Sequence, residues 1–440
     1  MGAEDEASRT EGGKARSTTE GGKAQTRFAR GAERGGSDPG GPDPGGPERG
    51  GLERGGLERG GVERGGSERG GSERGGRERA VLDGGGLDRA GSERAGWERT
   101  GSAREALARL AFALAVLLVV GAASAFIGSA EIRPGRVITA LLRSDPQDPA
   151  TALIHQIRLP RILLAALVGA ALSLSGALLQ AFFQNPMAGP YVVGVSAGAG
   201  LGAVCVLMSG VASAWWWVDP VSAGAFAGGA AVFLVVYSLS RRIRGAGSEG
   251  LLLVGIAVGS ICSSITSVLL IFGRDWVQTA LFWMMGSFAG AQWRHVAQMA
   301  VVLLISSPVA LFWSRDLNLL LWGDEVALSL GSPVPRVRVV ALAISTLLAT
   351  TSVALCGVIG FVGLMVPHLA RGYLLTVDHR FVLPGSMVIG AALAIAADAL
   401  ARGAMAPLEL PVGAITSAIG APFLIWLIVG RRRAARFRSS

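Results

Sequence analysis

Two arginines flank a Leu-Pro pair at Arg158-Leu159-Pro160-Arg161, and an uncharged apolar run from Ile162 to Phe183 follows at once. That run is long enough to cross a bilayer as a helix. It carries Gly169, Gly176 and Gln180, which are costly against lipid and are expected to face protein. The run closes on Asn185-Pro186, an abrupt polar break before the glycine-rich stretch through Gly194, Gly198 and Gly200. Two fixed cations at one end of a span suggest an anchored positive patch at a membrane surface. Further along, Asp398 stands four residues before Arg402, so the two side chains share a helix face and can pair. His368 follows Pro367 in another apolar run and lies beside Arg371. It suits capping or hydrogen bonding near a membrane surface, or else a proton relay. Pro367 frees a backbone carbonyl and bends or ends its helix.

These groups must be held by membrane helices. Residues 1–103 are polar and rich in glycine, arginine and glutamate, whereas residues 104–431 are overwhelmingly apolar. From Pro47 the first part repeats x-Glu-Arg-Gly-Gly, as in Leu52-Glu53-Arg54-Gly55-Gly56. Paired glycines oppose helix and little apolar surface is available to bury, so a disordered tail is expected. Its alternating glutamates weaken any nucleic-acid reading of the arginines. No apolar core follows Met1, so no signal peptide is expected. Residues 432–440 form a short basic C-terminal tail.

Composition excludes several activities. The net charge of +9 comes from arginine, and lysine occurs only at Lys14 and Lys23, each followed by alanine. A Gly-x4-Gly-Lys-Ser/Thr phosphate loop is therefore absent. The cysteines Cys205, Cys262 and Cys356 are widely spaced in apolar runs, which speaks against a zinc or disulfide framework. No catalytic motif, metal set or cofactor site is expected.

The fold class expected is all-α, a polytopic membrane protein with spans near 106–127, 162–183, 192–212, 221–240, 251–272, 296–313, 339–355, 357–374, 384–401 and 413–430. The seventh and eighth are divided only by Cys356-Gly357. Arg241, Arg242 and Arg244 follow the fourth span, and Arg431, Arg432 and Arg433 follow the tenth. Both clusters belong in the cytoplasm, so an even number of spans must separate them. Keeping the doubtful pair apart satisfies this and places both termini inside. Trp215, Trp216, Trp217, Trp276, Trp283 and Trp293 then fall in outer connections. The same topology puts Arg158, Arg161 and Arg402 outside, against the usual bias. They are either interface anchors with local partners or a basic docking surface for an acidic partner.

Between spans six and seven, residues 317–331 combine preceding leucines, Val326 and Leu330 with an acidic start at Asp324-Glu325 and a natural stop at Gly331. One short amphipathic helix on the inner surface is expected, as a lipid anchor or as a knob for a partner's groove.

The chain resembles the permease subunits of ABC importers for ferric siderophores, haem and cobalamin. The matching elements are Arg158-Leu159-Pro160-Arg161, Gly169-x6-Gly176-x3-Gln180, Asn185-Pro186-Met187-Ala188, the run Gly360-Phe361-Val362-Gly363-Leu364 with Pro367, His368 and Arg371, Glu409-Leu410-Pro411-Val412-Gly413, and Gly420-Ala421-Pro422-Phe423. Met187 and Trp322 stand where the family usually has leucine. The resemblance implies a pair of permeases around a central path, two cytoplasmic ATP-binding subunits and an external substrate-binding protein. It implies that Arg158, Arg161 and Arg402 dock the external protein. It further implies that Gly323, Glu325, Ala327, Leu330 and Gly331 couple to the ATPase, and that Gln180, Asn185, Pro186, Ser248, Pro367 and His368 line or gate the path. The alternative is a secondary transporter driven by an ion gradient, which should need mid-membrane carboxylates or unwound helix pairs.

Overall fold

The computed structural model describes residues 103–128, 133–142, 148–211, 217–243, 247–273 and 276–437. The repeat segment, Trp215, Trp216 and the Arg244–Ala246 connection lie outside these.

Among the described residues every regular element is helical. The long helices are α1 (Ala103–Phe126), α4 (Leu159–Phe182), α5 (Val195–Ser209), α6 (Pro220–Arg242), α7 (Gly247–Phe272), α9 (Trp293–Phe312), α12 (Val334–Cys356), α13 (Val362–Leu374), α14 (His379–Gly403) and α15 (Val412–Phe437). All ten expected spans have their helix. Among the described residues, seven helical stretches are long and apolar enough to cross a membrane, and α5, α13 and the apolar part of α15 are shorter. The doubtful pair is divided as expected. α12 stops at Cys356, Gly357 turns the chain at φ 71°, and α13 restarts at Val362.

Short helices between the spans were not expected as separate elements at α2 (Pro134–Leu142), α3 (Pro149–Leu153), α8 (Val277–Met284) and α10 (Ser314–Leu320); α11 (Asp324–Ser329) is the short helix expected from its acidic start and Gly331. α3 runs through a π turn, Ile154–Arg158, straight into α4. Caps explain several starts. Asp219 accepts from the Ser222 amide at 3.0 Å ahead of Pro220, and Asp378 accepts from the Arg380 amide at 2.9 Å.

α4 is the axis of the bundle, packed by α14, α12, α13 and α9. Of its apolar window 83% is buried, against 11% for α1, whose Leu107, Phe112, Leu118 and Val119 face outward. Apolar side chains turned out along whole helices suit lipid, where no hydrophobic penalty attaches to them.

The glycines that α4 was expected to turn toward protein are its closest contacts. A Cβ on Gly169 would land on the Gly390 carbonyl of α14, and one on Gly176 would land on the Gly363 carbonyl of α13. Between them Ser175 and Ser345 each donate to the other's carbonyl, at 2.8 and 3.1 Å, tying α4 to α12. Because the obstacle at Gly176 is backbone, even Gly176→Ala should cost about 3 kcal/mol or more. Gly372→Ala, in the same helix as Gly363 but with nothing within 4 Å, should be neutral or stabilising by up to about 1 kcal/mol. Thermal unfolding of the two variants in detergent checks this; equal melting temperatures would contradict the close approach.

Candidate functional site

The polar groups gather at the two ends of α4. At its N-terminal end Arg161 donates from Nε to Asp398 at 2.9 Å and from Nη1 to Glu409 at 2.9 Å. Arg402 meets the other Asp398 oxygen at 3.0 Å, the i,i+4 pairing expected from the sequence. Further guanidinium contacts run to the end of α1. Arg158 donates to the Ala125 carbonyl at 2.7 Å, and Arg402 donates to Ser124 Oγ at 2.6 Å and to the Ile127 carbonyl. The last carbonyls of a helix lack intrahelical partners and lie at its negative dipole end, so cations there satisfy both needs.

All three arginines do share one end, as the topology required. They are not an exposed basic patch, however. Arg158, Arg161 and Arg402 are 4%, 5% and 2% exposed. The physical reason is the C-terminus of α1 and the Asp398 carboxylate, which together absorb most of their donors. Glu409 lies 248 positions from Arg161, and its side chain keeps 29% exposure. Beside it is a cavity of about 570 Å³ lined by Gln278, Phe282 and Trp283 of α8, Cys356, Glu409 and Pro411. Trp293 belongs to the same end, donating from Nε1 to the His155 carbonyl at 3.0 Å.

At the opposite end of α4, Gln180 is buried and bridges to α13. It donates to the Leu364 carbonyl at 3.0 Å and accepts from Arg371 at 2.6 Å. Pro367 is buried within α13, and the His368 ring lies edge-on to Phe423 of α15 at 6.1 Å. Asn185 caps its own turn, accepting from the Met187 amide at 2.8 Å, with Pro186 partly exposed beside it. Ser248 lies in the first turn of α7, and its side chain is outside the described residues.

The coupling candidates also stand here. The short helix with its start at Asp324-Glu325 is present as α11, and the leucines before it form a second one, α10. Gly323 at φ 100° divides α10 from α11, and Gly331 at φ 80° ends α11. Both angles favour glycine over any side chain. Ala327 is fully buried beneath the hairpin, while Glu325, Val326, Leu328 and Leu330 point outward with Trp322. Asp324 accepts from Arg338 at 2.8 Å and from Gln184 at 3.1 Å, and Gln184 also donates to the Leu320 carbonyl at 3.0 Å. The Asn-Pro turn is thereby bound to the hairpin. Asn318 joins α10 to the start of α14, donating to Asp378 at 2.7 Å and accepting from the His379 amide at 2.8 Å. Neither link has a local sequence signal.

A multi-pass helical bundle with glycine-packed spans and a protruding apolar hairpin is the build of a transport permease. Residues 116–430 match the FecCD transport family, and the chain belongs to it. It is 40% identical over 285 residues to the cobalamin import system permease protein BtuC of Halobacterium salinarum, covering 64% of this chain and 75% of that one. It is 39% identical over 313 residues to the Fe(3+)-citrate import system permease protein YfmE of Bacillus subtilis, covering 71% and 92%. The hemin transport system permease protein HmuU of Yersinia pestis is 37% identical over 330 residues, 73% and 96% of the two chains. Among solved structures, a metal-chelate type ABC transporter in an inward-facing conformation aligns with a TM-score of 0.64 at 29% identity, over 73% of this chain and 98% of that one.

Proposed function

We propose that this chain is the membrane-spanning permease subunit of an ATP-driven importer and forms the path for a ferric siderophore or related iron chelate, haem or cobalamin. The observation that carries this reading is the α10–α11 hairpin. It presents Trp322, Val326, Leu328 and Leu330 away from the bundle while Ala327 anchors it from below. An apolar knob of this kind fits a groove on a partner, and the partner is a cytoplasmic ATP-binding subunit, one for each permease of a pair. ATP hydrolysis belongs to that subunit. The hairpin end is then cytoplasmic, with both termini, and the Arg161 end faces an external substrate-binding protein. Gln180, Asn185, Pro186, Ser248, Pro367 and His368 belong to the cytoplasmic mouth of the path.

The gradient-driven alternative has little support. Among the described residues Asp398 is the one buried carboxylate in a span, and two guanidiniums engage it. Uptake of radiolabelled ferric chelate, haem and cobalamin into cells lacking their own importers tests the reading. One of the three should accumulate tenfold or more above the empty-vector level and should stop when ATP is depleted with the ion gradient maintained. Accumulation that follows the gradient and ignores ATP would overturn it.

A further inference from the structure

The Arg161 guanidinium is engaged on two sides and, on its buried third side, lacks an acceptor among the described residues. Nε is held by Asp398 and Nη1 by Glu409, while Nη2 is buried with no hydrogen-bond acceptor among the described residues. Leaving a buried donor of a charged group unsatisfied is unfavourable, and guanidinium forks favour two parallel bonds to one carboxylate. The two carboxylates on Arg161 are not equivalent. Asp398 is shut inside, its side chain 1% exposed, and shared with Arg402, whereas Glu409 stands at the rim and makes a single contact.

We propose that Glu409 is an internal stand-in for an acidic side chain of the external partner, and that docking displaces it. Departure of Glu409 from the rim uncovers the otherwise buried guanidinium edge, and the arriving carboxylate takes Nη1 and adds Nη2, exchanging one bond for two. This rests on the reading that the Arg161 end receives an external protein, and it adds what happens there. Glu409, Leu410 and Pro411 form one wall of the cavity of about 570 Å³, and Trp283 and Phe282 of α8 form another. Releasing Glu409 removes the side-chain tie on that wall, leaving it fastened by the Leu410 amide, which donates to the Ala401 carbonyl at 3.0 Å. Recognition of the acidic partner and the mobility of the cavity wall are thus linked through one ion pair.

The test uses the reconstituted permease–ATPase complex and a hexaglutamate peptide as the acidic probe, with hexaglutamine as its neutral counterpart. Glu409→Gln should bind hexaglutamate about tenfold more tightly than the unmodified protein, because the internal competitor has lost its charge. Glu409→Asp, which keeps the charge, should bind like the unmodified protein. Leu410→Cys, a partly buried position in the cavity lining, placed in a background with Cys205→Ser and Cys356→Ser, reports on the loop. Its labelling by a membrane-impermeant maleimide should rise several-fold when hexaglutamate is added, and should already be high in the Glu409→Gln protein. Salt-sensitive binding that is the same with Glu409 and with Gln would overturn the displacement and leave the docking surface standing. Weaker binding by Glu409→Gln would make Glu409 part of the partner's seat, again overturning it. Absence of salt-sensitive binding in both proteins would remove the acidic partner from this end, and the displacement with it.

Discussion

Replacing Leu328 and Leu330 by glutamate should strip the permease of its ATP-binding subunit. Both side chains point away from the bundle, 54% and 59% exposed, so the change leaves the interior untouched. It places two charges in the middle of an apolar contact, where an unpaired charge strongly disfavours association. Co-purification of the ATPase should fall at least tenfold and uptake should drop to background, with the permease present in the membrane at its usual level. Gly331→Asp should act in the same direction, since φ 80° there favours glycine. Ala327→Arg is a different experiment. Ala327 is fully buried, so an arginine at that site should destabilise the permease itself. Undiminished co-purification with the Leu328 and Leu330 substitutions would mean that the ATPase seats elsewhere.

The second large effect belongs to Asp398→Asn. The substitution preserves shape but removes the charge shared by Arg161 and Arg402, whose side chains are 6% and 3% exposed. Breaking a buried pair from one side costs about 3–5 kcal/mol, because the stranded cations cannot be resolvated. The comparison is Asp324→Asn. The Asp324–Arg338 pair has side chains 39% and 25% exposed, and such partly solvated pairs are worth roughly 0–1 kcal/mol. Thermal unfolding in detergent should show a large drop for the first and little change for the second. A small drop for both would mean that water reaches the Arg161 cluster.

The sequence carried the spans because each is an uninterrupted apolar run, and it carried the break at Gly357 through charge parity between Arg242 and Arg431. It carried Gly169, Gly176 and Gln180 as protein-facing because lipid tolerates them poorly. It named the residues that approach closely but not their counterparts. Nothing near Gly176 points to Gly363, and nothing near Arg161 points to Glu409. Those pairings are set by how α4, α13 and α14 are threaded, which periodicity does not encode. The burial of the three arginines was hidden for the same reason. A charge at the end of a span looks solvated until the end of α1 arrives to accept its hydrogen bonds. The helix from the acidic Asp324-Glu325 pair to Gly331 was legible, but the leucines before Gly323 were read as part of its apolar face, because an isolated glycine marks a break only when its backbone angle is known.

Two contacts along one rod remove a freedom that one contact leaves. Gly169 touches α14 and Gly176 touches α13, about 10 Å apart along the α4 axis. A single contact would act as a pivot, whereas two at different heights prevent tilting as well as sliding. α13 and α14 are themselves joined by the short turn through Asp378, so the three helices close a braced triangle. Asn318 fastens the hairpin segment to one corner of that frame, and Asp398 holds the ion cluster at another. On the proposed reading, a thrust on the hairpin passes through the Asn318 link and then travels to the far face as the motion of one solid piece. The shape change of a working cycle would then be taken up outside that frame, in the connections to the helices it does not include.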